Sequence, residues 1–235
     1  MTLIADSLRL RQETLAMAFV YTHKYRHHAR SDKTMAELLD EYTLSLASLS
    51  LATKATESPR RLRELLLPAY ALLNPSDPPL TFPSALYDAL RGTVVTAELL
   101  LLRVLRFDIR LPLAYDYLPR MLEKVLTLDG TAHIDYLPDD EREEIRVVDV
   151  KDTRIGAAVW CLVSEAVRSY RLVILFPART VAAACIFVAM QEAGLRIAME
   201  GKTWVRKLTG DRVEFEDFEE AVEEVRTLRE VREAR

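Results

Sequence analysis

Two cysteines, six glycines and ten prolines among 235 residues exclude several kinds of protein at once. The cysteines are too few for the disulfide framework of a small secreted domain. Cys161 and Cys185 stand in apolar runs with no ligand-like neighbours, which predicts buried, reduced thiols. No glycine-rich phosphate loop, no nucleophile elbow and no Cys/His/Asp arrangement is present, so neither a catalytic group nor a cofactor is expected. No uncharged apolar run approaches the roughly 20 residues of a membrane span. The first residues lack the basic-then-apolar pattern of a signal peptide, and a soluble intracellular protein is the expectation. An excess of positive charge is missing too: 32 Lys and Arg face 36 Asp and Glu, for a formal net charge of −4. Phosphate binding needs concentrated positive charge, so no direct contact with nucleic acid is expected.

What the chain does contain is helix-forming sequence. Half of its residues are hydrophobic, enough to bury a sizeable core, and Leu, Ala, Glu and Arg dominate. Apolar spacing predicts a helix over 11–28 and a second over 35–56. The centre of the second, residues 44–52, carries no charge for over two turns. Such a helix is surrounded by others, and its Ala and Ser residues permit close contact. Ser58-Pro59 fits an N-cap with proline at the first helical position, opening a helix over 60–73. Residues 74–79 read as a loop. Further helices are expected over 84–107, 113–126, 153–170, 177–193, 203–208 and 214–235, and no stretch reads as a strand. Residues 129–152 read as an acidic loop, mobile and solvated around Asp139–Glu144. The uncharged helix of the first half has a counterpart in Val181–Ala189. The duplication predicts an all-α protein of two helical lobes on one plan, meeting near Phe107–Pro112.

His23, His27 and His28 lie close together, but no third and fourth ligand follows at a recognised spacing, and no metal is expected. The carboxylates of Asp139–Glu144 have no apolar pocket to shift a pKa. Lys54 ends the uncharged helix, and Glu98 stands amid apolar residues of a later one. A lone Glu there is costly unless it is paired or meets a surface. An internal ion pair and a polar point in an apolar docking surface are both open readings.

Three stretches resemble the cyclin box. Leu8–Tyr25, with its Tyr-x-His-Lys-aromatic ending, is similar to the second box helix of transcription-type cyclins. Leu49–Leu62 resembles the Leu-Ala-x-Lys-x-x-Glu signature that ends the third helix and the Pro-x-x-Leu that opens the fourth. Glu98–Asp108 resembles the Glu-x-x-x-Leu-x-x-Leu-x-Phe segment closing the first box, with cyclin Q nearest in flavour and cyclins K, L and T as relatives. The resemblance implies an all-α cyclin fold of tandem boxes, 1–110 and 111–235. It leaves the first box without most of its first helix, since only Thr2–Leu8 precede the second. It also implies a regulatory subunit, not an enzyme, that binds and activates a cyclin-dependent protein kinase in the nucleus, in transcription or RNA processing. Lys54 and Glu98 take the docking role in that reading, with Glu57, Leu51 and Leu102 of the same motifs beside them. A cyclin-fold general transcription factor of the TFIIB type and a helical scaffold without a kinase are the alternatives. The first carries basic patches and a cysteine-rich zinc ribbon, which this sequence lacks.

Overall fold

The computed structural model of the chain describes residues 1–31, 33–128, 153–195 and 199–233. The acidic segment expected to be a mobile loop, 129–152, lies outside them. Every regular element among the described residues is helical. The chain divides into two compact units, Met1–Leu111 and Pro112–Arg235.

The first unit contains α1 (Thr2–Ser7), α2 (Gln12–Ala29), α3 (Lys33–Leu38), α4 (Glu41–Ala55), α5 (Leu62–Leu73) and α6 (Ala85–Val104). The uncharged α4 is its hub. It packs against α2, α5 and α6, and buries every residue from Ala47 to Thr53. Ala47 and Ala52 are wholly enclosed, and small side chains at those points let the neighbouring backbones approach. Two hydroxyl pairs join α2 to α4 and its C-cap. The Thr22 hydroxyl lies 3.1 Å from that of Ser48, and the Thr14 and Thr56 hydroxyls lie 2.8 Å apart. The Tyr21 hydroxyl donates to the Ile109 carbonyl, fastening the chain beyond α6 to α2.

Several boundaries differ from the sequence-based expectation. The helix expected over 35–56 is two helices, because Asp40 adopts an extended backbone and its carboxylate accepts from the Tyr42 and Thr43 N–H groups at 2.9 Å. That cap lowers the Asp40 carboxyl. Burial alone would raise it, but donation from the Thr43 hydroxyl and the two N–H groups prevails. A lowered folded-state pKa contributes stability that is present above the ordinary carboxylate range and lost as pH falls through it. Asp40→Ala should therefore cost about 1 kcal/mol at pH 7, and urea titrations should show the gap from wild type closing below about pH 3.9.

Ser58-Pro59 does not start α5, whose N-cap is Arg61. Instead these residues finish α4. Glu57 takes φ 54°, its N–H donates to the Lys54 carbonyl at 3.4 Å, and the Ser58 N–H donates to the Thr53 carbonyl at 2.9 Å. This is a Schellman turn, and a proline just beyond it fits because it cannot continue the helix. Arg9 (φ 49°) ends α1 and Arg106 (φ 54°) ends α6 with the same pair of hydrogen bonds. Ahead of α2 stands only the six-residue α1, in keeping with a first box that lacks most of its first helix. It buries Ile4 and Ala5 and packs against α5, while Leu15 and Phe19 are half-buried.

The second unit holds a 3₁₀ turn (Ala114–Asp116), α7 (Leu118–Leu128), α8 (Arg154–Ala166), α9 (Tyr170–Leu175), α10 (Ala178–Glu192), α11 (Gly201–Thr209) and α12 (Phe215–Glu233). Its hub is α10, buried from Thr180 to Ile186 and again from Val188 to Met190. The single helix expected over 153–170 stops at Ala166, and Ser169 caps a separate α9 by accepting from the Leu172 N–H. Trp204 of α11, Phe187 of α10 and Phe218 of α12 meet with ring centroids 5.4–6.0 Å apart.

The two cysteines part company. Cys185 is fully buried, and burial pushes its thiol up to about 12. Cys161 was expected to be buried as well, but it is exposed, because α8 turns Val159, Leu162 and Val163 inward instead. Its Sγ donates to Glu165 at 3.5 Å. At pH 8 one equivalent of iodoacetamide should therefore mark Cys161 within minutes, with Cys185 reacting only in denaturant, as peptide mass spectrometry would show.

Candidate docking site

Lys54 stands on the last turn of α4, one turn after the buried Leu51, and Glu98 stands in the middle of α6. Packing of α4 on α6 brings them together, with Lys54 Nζ 2.7 Å from Glu98 Oε2. The two ends of this pair are unequal. The Glu98 side chain is 11 % exposed, between the enclosed Ala97 and Leu101, whereas that of Lys54 is 51 % exposed. Glu98 Oε1 is buried and accepts no hydrogen bond among the described residues. A buried acceptor left unmade costs about 1–3 kcal/mol. The ammonium has three donors, of which Glu98 occupies one. The pair is thus an internal ion pair that retains hydrogen-bonding capacity on its outer side.

Around it the surface is apolar. Val95 and Leu99 of α6 are exposed, Leu102 is half-buried one turn beyond Glu98, and Phe107, just past α6, is 66 % exposed at φ 60°. Large apolar side chains flanking one desolvated polar point are what the centre of a protein interface looks like. Leu51, one turn before Lys54, is buried. Glu57 sits apart, on the turn leaving α4, where it meets Arg110 at 2.9 Å. Both of those side chains are more than three-quarters exposed, and such a solvated pair adds little to stability.

The sequence pointed to Lys54 and Glu98, with Glu57, Leu51 and Leu102 beside them, but not to Val95, Leu99 or Phe107. Val95, Leu99 and Leu102 recur at helical spacing on one side of α6, and that spacing was the available signal. It was masked by the run Leu99–Leu102, which reads as core throughout. The Glu57–Arg110 pairing joins residues 53 apart and left no local trace.

The histidines do not form a site. His23 is buried, with its ring centroid 6.4 Å from that of Phe19, while His27 and His28 are exposed. Among the described residues no group of three His, Cys, Asp or Glu could hold a metal ion, and no helix is long and apolar enough to cross a membrane.

Residues 1–110 match the family model for the cyclin N-terminal domain. Cyclin-T1-5 of Arabidopsis thaliana is 22 % identical over 217 residues, covering 89 % of this chain and 32 % of the relative. Cyclin-T1-2 of the same plant is 23 % identical over 135 residues, covering 56 % and 28 %. The chain spans about a third of the length of these curated relatives. In three dimensions it is similar to a chain in the crystal structure of the yeast RNA Pol II CTD kinase CTDK-1 complex. The TM-score is 0.64 at 15 % identity, over 95 % of this chain and 61 % of that one, which establishes the cyclin fold. Of the subgroups that the sequence resembles, cyclin T is the one these relatives represent. Residues 1–110 thus match the cyclin N-terminal domain, in a chain whose fold is that of a cyclin.

Proposed function

We propose that the chain is the regulatory subunit of a cyclin-dependent protein kinase acting in transcription, and hence in the nucleus. Residues 1–110 are the first cyclin box in this reading and 111–235 the second. The supporting observation is the Lys54–Glu98 pair, half-exposed within the stripe Val95, Leu99, Leu102 and Phe107, with a buried carboxylate oxygen still lacking a donor. A partner that offers a carbonyl to Lys54 and, as the Glu98 carboxylate turns outward, a backbone N–H to Glu98 satisfies both while covering the apolar groups. Leu51 and Glu57 complete the surface, the first from below and the second at its edge.

Such docking works without chemistry of its own. A cyclin that binds one arrangement of the kinase's movable C-helix better than another shifts the population toward it by its differential affinity. The arrangement favoured is the one in which the kinase's own Lys–Glu ion pair is formed. The relatives named as cyclin T, and the similar chain in a complex named as a CTD kinase, support transcription as the process.

Affinity purification of the tagged protein from its native cells, with mass spectrometry of what co-purifies, tests the proposal. A cyclin-dependent kinase, near-stoichiometric, active in the complex and inactive once separated from the chain, is the expected result. Recovery of polymerase and promoter DNA without a kinase would favour the TFIIB-type reading, and helical partners alone would favour a scaffold.

A further inference from the structure

The turn after α4 has a property that docking does not use. Of the ten prolines in the chain, Pro59 alone follows a serine or threonine, and Arg60 and Arg61 come directly after it. Ser58-Pro59-Arg60-Arg61 therefore offers a hydroxyl, a proline in the next position and a cation in the third. Proline-directed protein kinases read that pattern, and they bind it as extended chain. Residues 58–61 belong to neither α4 nor α5, Arg61 is extended at φ −68°, ψ 139°, Ser58 is half-buried, and Pro59, Arg60 and Arg61 are exposed. The Ser58 backbone N–H is committed to Thr53, but the Ser58 hydroxyl holds no hydrogen bond among the described residues.

The surroundings suit the product as well as the substrate. Arg60 donates to the Leu8 carbonyl at 3.3 Å, the Arg61 backbone N–H donates to Glu64 Oε2 at 3.2 Å, and neither guanidinium pairs with a carboxylate among the described residues. Arg110 lies one residue away, on Glu57. A phosphoserine carries about −1.5 to −2 charges and three strong acceptors, and arginine is the side chain best shaped to receive them. The same position is awkward for docking. Ser58 follows Lys54 by four residues and adjoins Glu57, at the C-terminal end of α4, where the helix dipole is already negative.

We propose that Ser58 is a phosphorylation site for a proline-directed protein kinase, and that its phosphate, held by Arg60 and Arg61, closes the docking face. In the transfer the Ser58 oxygen attacks the γ-phosphorus of ATP. The bond from that phosphorus to the β-phosphate oxygen breaks, ADP leaves with the electron pair, and the hydroxyl proton passes to the modifying kinase's base. The docked partner covers this turn, so modification takes place on the free chain and sets how much of it can assemble. This last step rests on the proposed function, whereas the modification itself does not.

The folded full-length chain, incubated with ATP and a purified proline-directed kinase, should gain one phosphate, placed on Ser58 by mass spectrometry. Ser58→Ala should gain none, and Pro59→Ala, at an exposed position outside both helices, at least tenfold less. Phosphorus NMR should give the bound phosphate a second pKa below the ordinary value of about 6, returning to it in the Arg60→Ala/Arg61→Ala variant. The phosphorylated chain should capture at least tenfold less cyclin-dependent kinase from extract than the unmodified chain. Absence of phosphate on Ser58 overturns the site, and an ordinary second pKa overturns the arginine cradle. Equal kinase capture by both forms overturns the switch. Capture of no kinase by either form strikes down the proposed function and the switch with it, while the mass spectrum still decides the modification.

Discussion

Glu98→Ala is expected to lower capture of the partner kinase by about tenfold to a hundredfold while leaving the first unit folded. If Glu98 accepts from the kinase backbone, it makes a charge-assisted hydrogen bond at a partly desolvated interface, worth roughly 1.5–3 kcal/mol, which converts to that factor in affinity. The free chain should hardly register the change. The variant removes a buried acceptor that has no partner, and it breaks an ion pair whose cation is half in water. Pairs exposed to that degree are worth at most about 1 kcal/mol. Lys54→Glu should do worse, since it sets two carboxylates where an ion pair stood and presents the wrong charge to the partner. Circular dichroism melts run beside kinase pull-downs separate the two roles. Equal capture with a lowered melt would leave Lys54 and Glu98 as structural partners only and end the claim that they dock the kinase.

The largest expected loss of stability lies in the second unit. Trp204 is 2 % exposed and is held between Phe187 of α10 and Phe218 of α12. Truncating a buried aromatic of this size costs about 3–5 kcal/mol. Against the 5–15 kcal/mol of a typical domain, that is a large share. Trp204→Ala should therefore shift the urea midpoint strongly, and the protein should express poorly. Trp204→Phe, which keeps a ring against both partners, should lose less than half as much. Trp160 remains as the fluorescent reporter in both variants. A loss under about 1 kcal/mol for Trp204→Ala would show that the cluster collapses onto the gap, and that α11 is not held by this ring.

How much of this could be read beforehand differs by element. The hubs were legible because nothing else explains two turns of helix without charge: the central turns of α4 and α10 have little face to give to solvent, so residues 44–52 and 181–189 are apolar or small. The helix ends were less legible. Whether Ser58-Pro59 opens one helix or closes another depends on Glu57 entering the left-handed region, and no residue type announces that as glycine would. Asp40 divides a run that looks continuous because its carboxylate outcompetes the backbone locally. At the docking site the polar pair was visible, since a Glu among leucines demands an account. The exposed Val95, Leu99 and Phe107 were not, because exposure of an apolar side chain depends on which neighbours the fold supplies, and composition carries no record of that. Cys161 was misread for the same reason.

The exits of α1, α4 and α6 carry a consequence for the energy of the chain. A non-glycine residue in the left-handed region costs roughly 1–3 kcal/mol, and Arg9, Glu57 and Arg106 each bear that cost. Glycine would remove the strain, yet it would also enlarge the conformational freedom of the unfolded chain by about 0.5–1 kcal/mol per position relative to alanine. The two effects oppose each other, so the unfolded ensemble of the first unit, with Gly92 as its sole glycine, is narrower than a glycine-cornered version would have. The chain therefore has less backbone entropy to lose at these corners on folding.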